Sequence, residues 1–248
     1  MYSTQLSDYR SYDIDNLILQ PTERRTDVRR IRLLTHNLDG TRGDLIFSTP
    51  RLLSFGLQHI YDGDTIVGHQ IPLVMWGKNG PSPEEKAFVD ILETITSVSK
   101  QYILQHRVDL EKPDLTEEDL FRLNPLYYKA NATNSAPLLY VRLNTFRNED
   151  NLHIRTLFID DDTKESIDPM LLLNKRCLVY AAIRLESVLL GSKARFQLKL
   201  LEARVKFLDR GFKSLLEPGK VFSPYRGGKE KTTYNKETNA DEPVHTGA

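Results

Sequence analysis

The sequence predicts a mainly β protein with one long inserted helix, arranged as an OB-type antiparallel Greek-key barrel. Three observations carry this. Two long runs of alternating residues within 175–207 flank Gly191-Ser192 and read as a β-hairpin with a two-residue turn. Shorter runs upstream are punctuated by Asp39-Gly40, Asp62-Gly63-Asp64 and Gly77-Lys78-Asn79-Gly80, the spacing of an antiparallel meander. One capped helical pattern separates the early strands from the later ones, an order compatible with a Greek-key barrel. A β-sandwich with a helical insertion is the rival architecture.

The elements follow in order. Residues 1–26 are polar and read as a flexible N-terminal arm. Strand-like runs cover 28–34, 45–47, 52–60 and 71–76, with Phe55 sharing the parity of Leu53 and Leu57 and so expected in the core. Ser82-Pro83-Glu84-Glu85 is a capping box with proline at the first helical position. Phe88, Ile91, Leu92, Ile95, Val98, Tyr102 and Ile103 then recur at helical spacing, which predicts one helix over about 82–106. A shorter helix is expected from Thr116, where Glu117, Glu118 and Asp119 favour a positive N-terminus, and Asn124-Pro125 ends it. Strands return at 138–146 and 154–159.

Counting back from the turn pairs Leu189 with Ala194, Ser187 with Phe196, Leu185 with Leu198 and Ile183 with Leu200, an apolar face directed at a core. The other face pairs Val188 with Arg195, Glu186 with Gln197, and Arg184 with Lys199. Parity in the second strand switches near Leu200-Leu201, which predicts a β-bulge. From residue 220 the chain is rich in Gly, Lys, Thr and Asn and reads as a disordered tail. The expected organisation is an arm over 1–26, a single barrel domain with a helical insertion over 27–219, and a tail over 220–248.

The chain has 248 residues, enough for one large domain, and 40% of them are hydrophobic. Its formal net charge is zero, so no global field favours nucleic acid or a membrane. Charge is nevertheless uneven. Arg24, Arg25, Arg29, Arg30 and Arg32 crowd the early chain, and an acidic patch runs from Asp109 to Asp119. A neutral chain can still meet a polyanion through one face. The single cysteine, Cys177, excludes an intramolecular disulfide and suits a reducing compartment; its place in a strand marks it as a small buried hydrophobe. No apolar h-region opens the sequence and no apolar run reaches the length of a bilayer span, so a soluble intracellular protein is expected.

Enzyme chemistry is thinly represented. There is no Gly-rich phosphate loop, no Cys-His cluster and no Gly-x-Ser-x-Gly elbow. Asp160-Asp161-Asp162 and Pro83-Glu84-Glu85-Lys86 would be the basis of a metal-dependent nuclease, but a solvated turn and a helix cap explain them as well. No cofactor, no metal and no catalytic residue are expected.

Binding chemistry is better represented. Arg184 opposite Lys199 places two like charges across a sheet, an arrangement relieved by an anion or by a solvated cluster that includes Glu186. Tyr140, Arg142, Asn144 and Phe146 share one strand face; they suit bases and phosphates of a single strand, or a packing layer beneath the helix. Trp76 with Lys78, and Tyr127-Tyr128 with Lys129, are aromatic-cation clusters that also suit semi-buried anchoring. Arg51 follows Pro50 at the mouth of the expected sheet.

Several segments together carry a resemblance: Thr49-Pro50-Arg51 with Leu53-Ser54-Phe55-Gly56, the run from Trp76 to Lys86, Leu123 to Lys129, Ala136 to Tyr140, and Ala181 to Ser187 with Gly191-Ser192-Lys193. Over roughly 28–208 the chain resembles the OB-fold single-stranded-DNA-binding proteins of nucleocytoplasmic large DNA viruses. The resemblance implies a sequence-tolerant, non-enzymatic binder of single-stranded DNA in viral DNA replication, recombination or repair. It puts the binding role on Arg51, Trp76, Lys78, Tyr127, Lys129, Tyr140, Arg184 and Lys193; strand parity adds Arg142, Arg195 and Lys199. Implied partners are single-stranded DNA, with RNA as the alternative, a second copy of the chain, and replication proteins, but no membrane. Implied locations are the host cytoplasm or viral factory, the nucleus, and the virion. The mixed charge of 227–248 departs from the acidic tails of many replication binders and speaks against tail-mediated recruitment. The competing reading is a structural or assembly protein of a large DNA virus that meets another protein through the same sheet.

Overall fold

The computed structural model describes residues 2–21, 28–129, 135–148, 151–208, 212–213 and 221–222. In chain order the first strands are β1 (Leu17–Pro21), β2 (Arg29–His36), β3 (Arg42–Asp44), β4 (Ile46–Ser48), β5 (Leu52–Ser54), β6 (Gln58–Asp62) and β7 (Thr65–Val74). The helix α1 (Pro83–Gln105) follows. Then come β8 (Leu126–Tyr127), β9 (Leu138–Leu143), β10 (Thr145–Asn148), β11 (Asn151–Ile154), β12 (Leu157–Asp160), β13 (Cys177–Leu190) and β14 (Ala194–Phe207). The fold is mainly β with one long inserted helix, as the pattern predicts.

The chain forms two compact units, 1–210 and 211–248. In the second, β15 (Phe212–Lys213) pairs with β16 (Val221–Phe222). The rest of the expected tail lies outside the described residues.

Within the first unit, β13, β5, β7, β9 and β14 are hydrogen-bonded in that order, and β14 returns to β13, so five strands close a ring. The expectation of a purely antiparallel sheet is corrected: β14 runs parallel to both β9 and β12. Only Lys199 with Arg142 and Leu200 with Leu143 join β14 to β9, a seam as short as the two pairs that join β5 to β7.

The 14-residue strand β13 is long enough to serve three short partners on one side, β2, β4 and β5, and β14 on the other. Two irregularities adapt the hairpin to this job. Leu201 is bulged, as the parity switch predicts. A second bulge at Glu186 was not legible in the pattern. The turn is Gly191-Ser192-Lys193, one residue longer than expected, because Ala194 pairs with Leu190. The pairs near it are therefore Leu189 with Arg195 and Val188 with Phe196, and the bulge restores Leu185 with Leu198 and Arg184 with Lys199. The physical cause is burial. Val188 and Leu190 are 0% and 1% exposed, so they and Ile183 and Leu185 must reach one core, which only an extra residue between them allows.

The expected strand over 52–60 is broken at Gly56, whose φ is +87°. A Cβ there would lie 2.2 Å from the Leu172 carbonyl oxygen, so the site requires glycine. Ser54 Oγ, fully buried, donates to the Pro72 carbonyl (2.7 Å) and accepts from the Gly56 N–H (3.0 Å), which fixes the break. Phe55 consequently turns outward, 43% exposed, against the expectation of a core position. The stretch 138–146 is likewise two strands, separated at Asn144, and the segment from Thr116 forms a single 3-10 turn, Glu118–Leu120.

α1 begins as the capping box dictates: the Glu85 N–H donates to Ser82 Oγ (3.2 Å), and the Ser82 N–H donates to Glu85 Oε2 (2.7 Å). Its apolar stripe, Phe88, Ile91, Leu92, Ile95 and Ile103, is buried. Residues 2–21 are not a loose arm. The buried Tyr9 meets Phe88 edge-on at 5.3 Å, Tyr12 meets Phe47 at 5.2 Å and donates to Thr35 Oγ1, and β1 pairs along β2. Three apolar anchors at Tyr9, Tyr12 and Leu17 outweigh the polar average of the segment. Cys177 is buried as expected, and burial pushes its thiol up to about 12.

Candidate nucleic-acid interface

A row of polar side chains crosses four adjacent strands: Gln70 on β7 pairs with Arg142 on β9, Arg142 with Lys199 on β14, and Lys199 with Arg184 on β13. Neighbouring strands are about 4.8 Å apart, so three cations stand side by side across the sheet.

The two ends of the row differ. At the β13 end, Arg184 donates to Asp44 Oδ2 (3.2 Å) and Glu186 Oε1 (2.7 Å). Arg32 reaches Asp44 at 3.5 Å and Arg30 reaches Glu186 at 3.4 Å. Two carboxylates thus hold three guanidinium groups. At the β9 end, Arg142, Lys199 and Arg195 form no ion pair among the described residues. Burial, with the neighbouring Arg195 adding to it, lowers the pKa of Arg142. Burial also lowers that of Lys199; Glu186 opposes this, while Arg142, Arg184 and Arg30 reinforce it. Both shifts mean that the fold holds these cations at a disadvantage, which a bound anion removes.

A cavity of about 140 Å³ opens beside them, lined by Gln70, Tyr140, Arg142, Leu189, Arg195, Phe196, Gln197 and Leu198. Its position follows from the thin seam. β9 and β14 pair only at Arg142-Leu143 and Lys199-Leu200, and the residues that precede these pairs, Tyr140 and Gln197, face the gap. Leu189 reaches the cavity because the Glu186 bulge turns it out of the core, where simple counting places it. At the rim, Tyr127 and Tyr140 stand edge-on with ring centres 6.2 Å apart, 55% and 37% exposed. Both rings are exposed, so Tyr140 is not enclosed in a packing layer.

The remaining sequence-derived residues do not line the cavity. Arg51 donates to Asp161 (2.7 Å), which also accepts from Lys164 (2.8 Å). Trp76 is partly buried against the core, whereas Lys78, Lys129 and Lys193 are exposed. Arg184 is tied to two carboxylates. Tyr128 donates to Glu93 (2.7 Å), and burial, reinforced by Glu93, raises its hydroxyl pKa to about 12. The acidic triplet is a turn: Asp160 accepts from the Asp162 and Thr163 N–H groups, and Asp162 lies 3.6 Å from Lys206.

Sequence reasoning missed a second aromatic group. On the β10–β11 ribbon, Phe146 stacks on His153 at 5.0 Å and 21°, with the Arg155 guanidinium 4.2 Å over the same ring. The spacing of Phe146, His153 and Arg155 becomes informative only once β10 is known to pair with β11. Gln70, Phe196 and Gln197 were also unmarked, since no residue type among them signals an anion site by itself.

Residues 11–242 match the family described as "Protein of unknown function (DUF2738)". The chain belongs to that family. Over 166 residues this DUF2738 member is 27% identical to the Early 31 kDa protein of Frog virus 3 (isolate Goorha), which covers 64% of the chain; the chain spans 62% of that protein's length. Among solved structures it is similar to gp2.5, a single-stranded DNA binding protein encoded by bacteriophage T7, at a TM-score of 0.45 and 10% identity, over 82% of this chain and 100% of that one. A likeness at that level carries no argument about what the DUF2738 chain does. Among the described residues, no helix is long and apolar enough to cross a membrane.

Proposed function

We propose that this protein binds single-stranded DNA without catalysing a reaction, and that it does so in viral DNA replication, recombination or repair. One observation carries the reading: two guanidinium groups without ion pairs among the described residues, Arg142 and Arg195, face one cavity whose rim holds the exposed Tyr127–Tyr140 pair. A phosphate in the cavity neutralises the guanidinium groups and relieves their mutual repulsion. A base on Tyr140 or Tyr127 adds about 1–3 kcal/mol by stacking. Stacking needs an open base face, which a duplex does not offer, and it accepts any base, so binding is sequence-tolerant.

The closed five-strand ring supports an OB-type reading. In OB folds the face of the second and third strands binds oligonucleotides. The second and third ring strands in chain order here are β7 and β9, which supply Gln70, Tyr140 and Arg142 to the cavity. The relative in Frog virus 3 bears the name of an early protein, which suits a role before particle assembly better than the structural alternative.

The test is fluorescence anisotropy of labelled oligo-dT and of a duplex of equal length, at low and moderate salt. The reading expects tighter binding to the single strand, weakening as salt rises. Binding to neither at low salt overturns it and favours a protein partner on the same sheet.

A further inference from the structure

β6 and β7 form a ribbon in which His59 stands directly opposite His69. The two rings are 5.0 Å apart, centre to centre, at 64°. His69 is only 6% exposed. The Nδ1 atoms of both rings are enclosed by protein and make no hydrogen bond. A buried polar atom left without a partner costs about 1–3 kcal/mol. Two such atoms on facing residues form a feature that neither the core nor the cationic cavity explains. Burial, with His59 adding to it, lowers the pKa of His69.

We propose that His59 and His69 together bind one divalent transition-metal ion of the zinc, nickel or copper class. Neutral imidazole suits these ions, whereas magnesium and calcium prefer oxygen. The spacing fits. With metal–nitrogen bonds of about 2.0–2.1 Å and a right-angled or tetrahedral bite, two imidazoles on one ion have ring centres roughly 4.5–5.2 Å apart. Among the described residues no third His, Cys, Asp or Glu joins the pair, so the chain supplies two ligands and the site is exchangeable rather than a permanent structural centre. The ion staples β6 to β7 one residue before Gln70, which lines the anion cavity. Nothing in this proposal depends on nucleic-acid binding.

The experiment is calorimetric titration of the full chain with zinc chloride, repeated with nickel and copper, all without DNA. The expected result is one ion per chain, with copper held more tightly than nickel or zinc. His59→Gln and His69→Gln should each weaken binding at least about tenfold, as expected when one of two ligands is removed. His59 is only partly buried, so His59→Gln decides the matter if His69→Gln fails to fold. Absence of binding to the native chain overturns the proposal. So does zinc affinity unchanged in His59→Gln, which would assign the ion to another of the six histidines, His36, His106, His153 or His245.

Discussion

Arg184 and Lys199 face each other across the β13–β14 hairpin, yet only Arg184 is neutralised: it bonds Asp44 and Glu186, while Lys199 has no ion pair among the described residues. One pair of like charges therefore divides into a cation held by two carboxylates and a cation paired with none among the described residues. The carboxylates that hold Arg184 come from β3 and from the bulged residue of β13, positions that strand alternation alone does not bring together.

This division predicts that Arg184→Ala is first a stability variant. Asp44 and Glu186, each under a fifth exposed at the side chain, would lose their strongest partner. Removing one member of such a partly buried cluster is expected to destabilise the fold by about 1–3 kcal/mol. Urea denaturation checks it; an unchanged midpoint would place Arg184 on the ligand side instead.

Tyr127→Ala and Tyr140→Ala should weaken oligo-dT binding by about 1–3 kcal/mol each and leave the salt slope as it was, because stacking releases no counterions. Anisotropy at several salt concentrations separates the terms. A changed slope with either tyrosine variant would mean that the ring acts only by positioning a cation.

Gly56→Ala should destabilise by roughly 3 kcal/mol or more, since the methyl group meets the Leu172 carbonyl at a φ of +87°. Thermal melting measures this. Near-native stability would show that the break between β5 and β6 relaxes freely.

Acid stability carries a fourth prediction. Hydrogen bonds from Lys164 and Arg51 hold Asp161 at about 2, below the ordinary 3.8. A depressed carboxylate contributes stability that is present above the unfolded value and is lost as pH falls through the folded one. The loss due to Asp161 therefore falls between about pH 4 and 2. In Asp161→Asn, stability should decline less over that window; an identical acid profile would remove Asp161 from the account.

Several features set by pattern and local chemistry were legible in the sequence. The capping box set the start of α1, and the Leu200-Leu201 parity switch located a bulge. Arg184 opposite Lys199 came out right although the turn is one residue longer than its residues suggest, because the unseen bulge at Glu186 offsets that residue. The errors have two causes. Phe55 and residues 2–21 depart from their patterns because distant segments, the Leu172 carbonyl against Gly56 and Phe88 against Tyr9, override local alternation, and Leu189 departs because the Glu186 bulge reverses its parity. The candidate site was half legible: Tyr140, Arg142 and Arg195 were marked, but the cavity joining them depends on a two-pair seam between β9 and β14, and parallel pairing leaves no mark in either strand.

The most direct test is the salt dependence of oligo-dT affinity for the native chain and for Arg142→Ala with Arg195→Ala. The one phosphate left without its two guanidinium groups should reduce the slope of log K against log salt by about 0.7, and the double variant should bind at least roughly tenfold more weakly at low salt. Its melting temperature should hold or rise, because two mutually repelling cations are gone. Unchanged affinity and slope in a folded double variant would contradict the account at its centre.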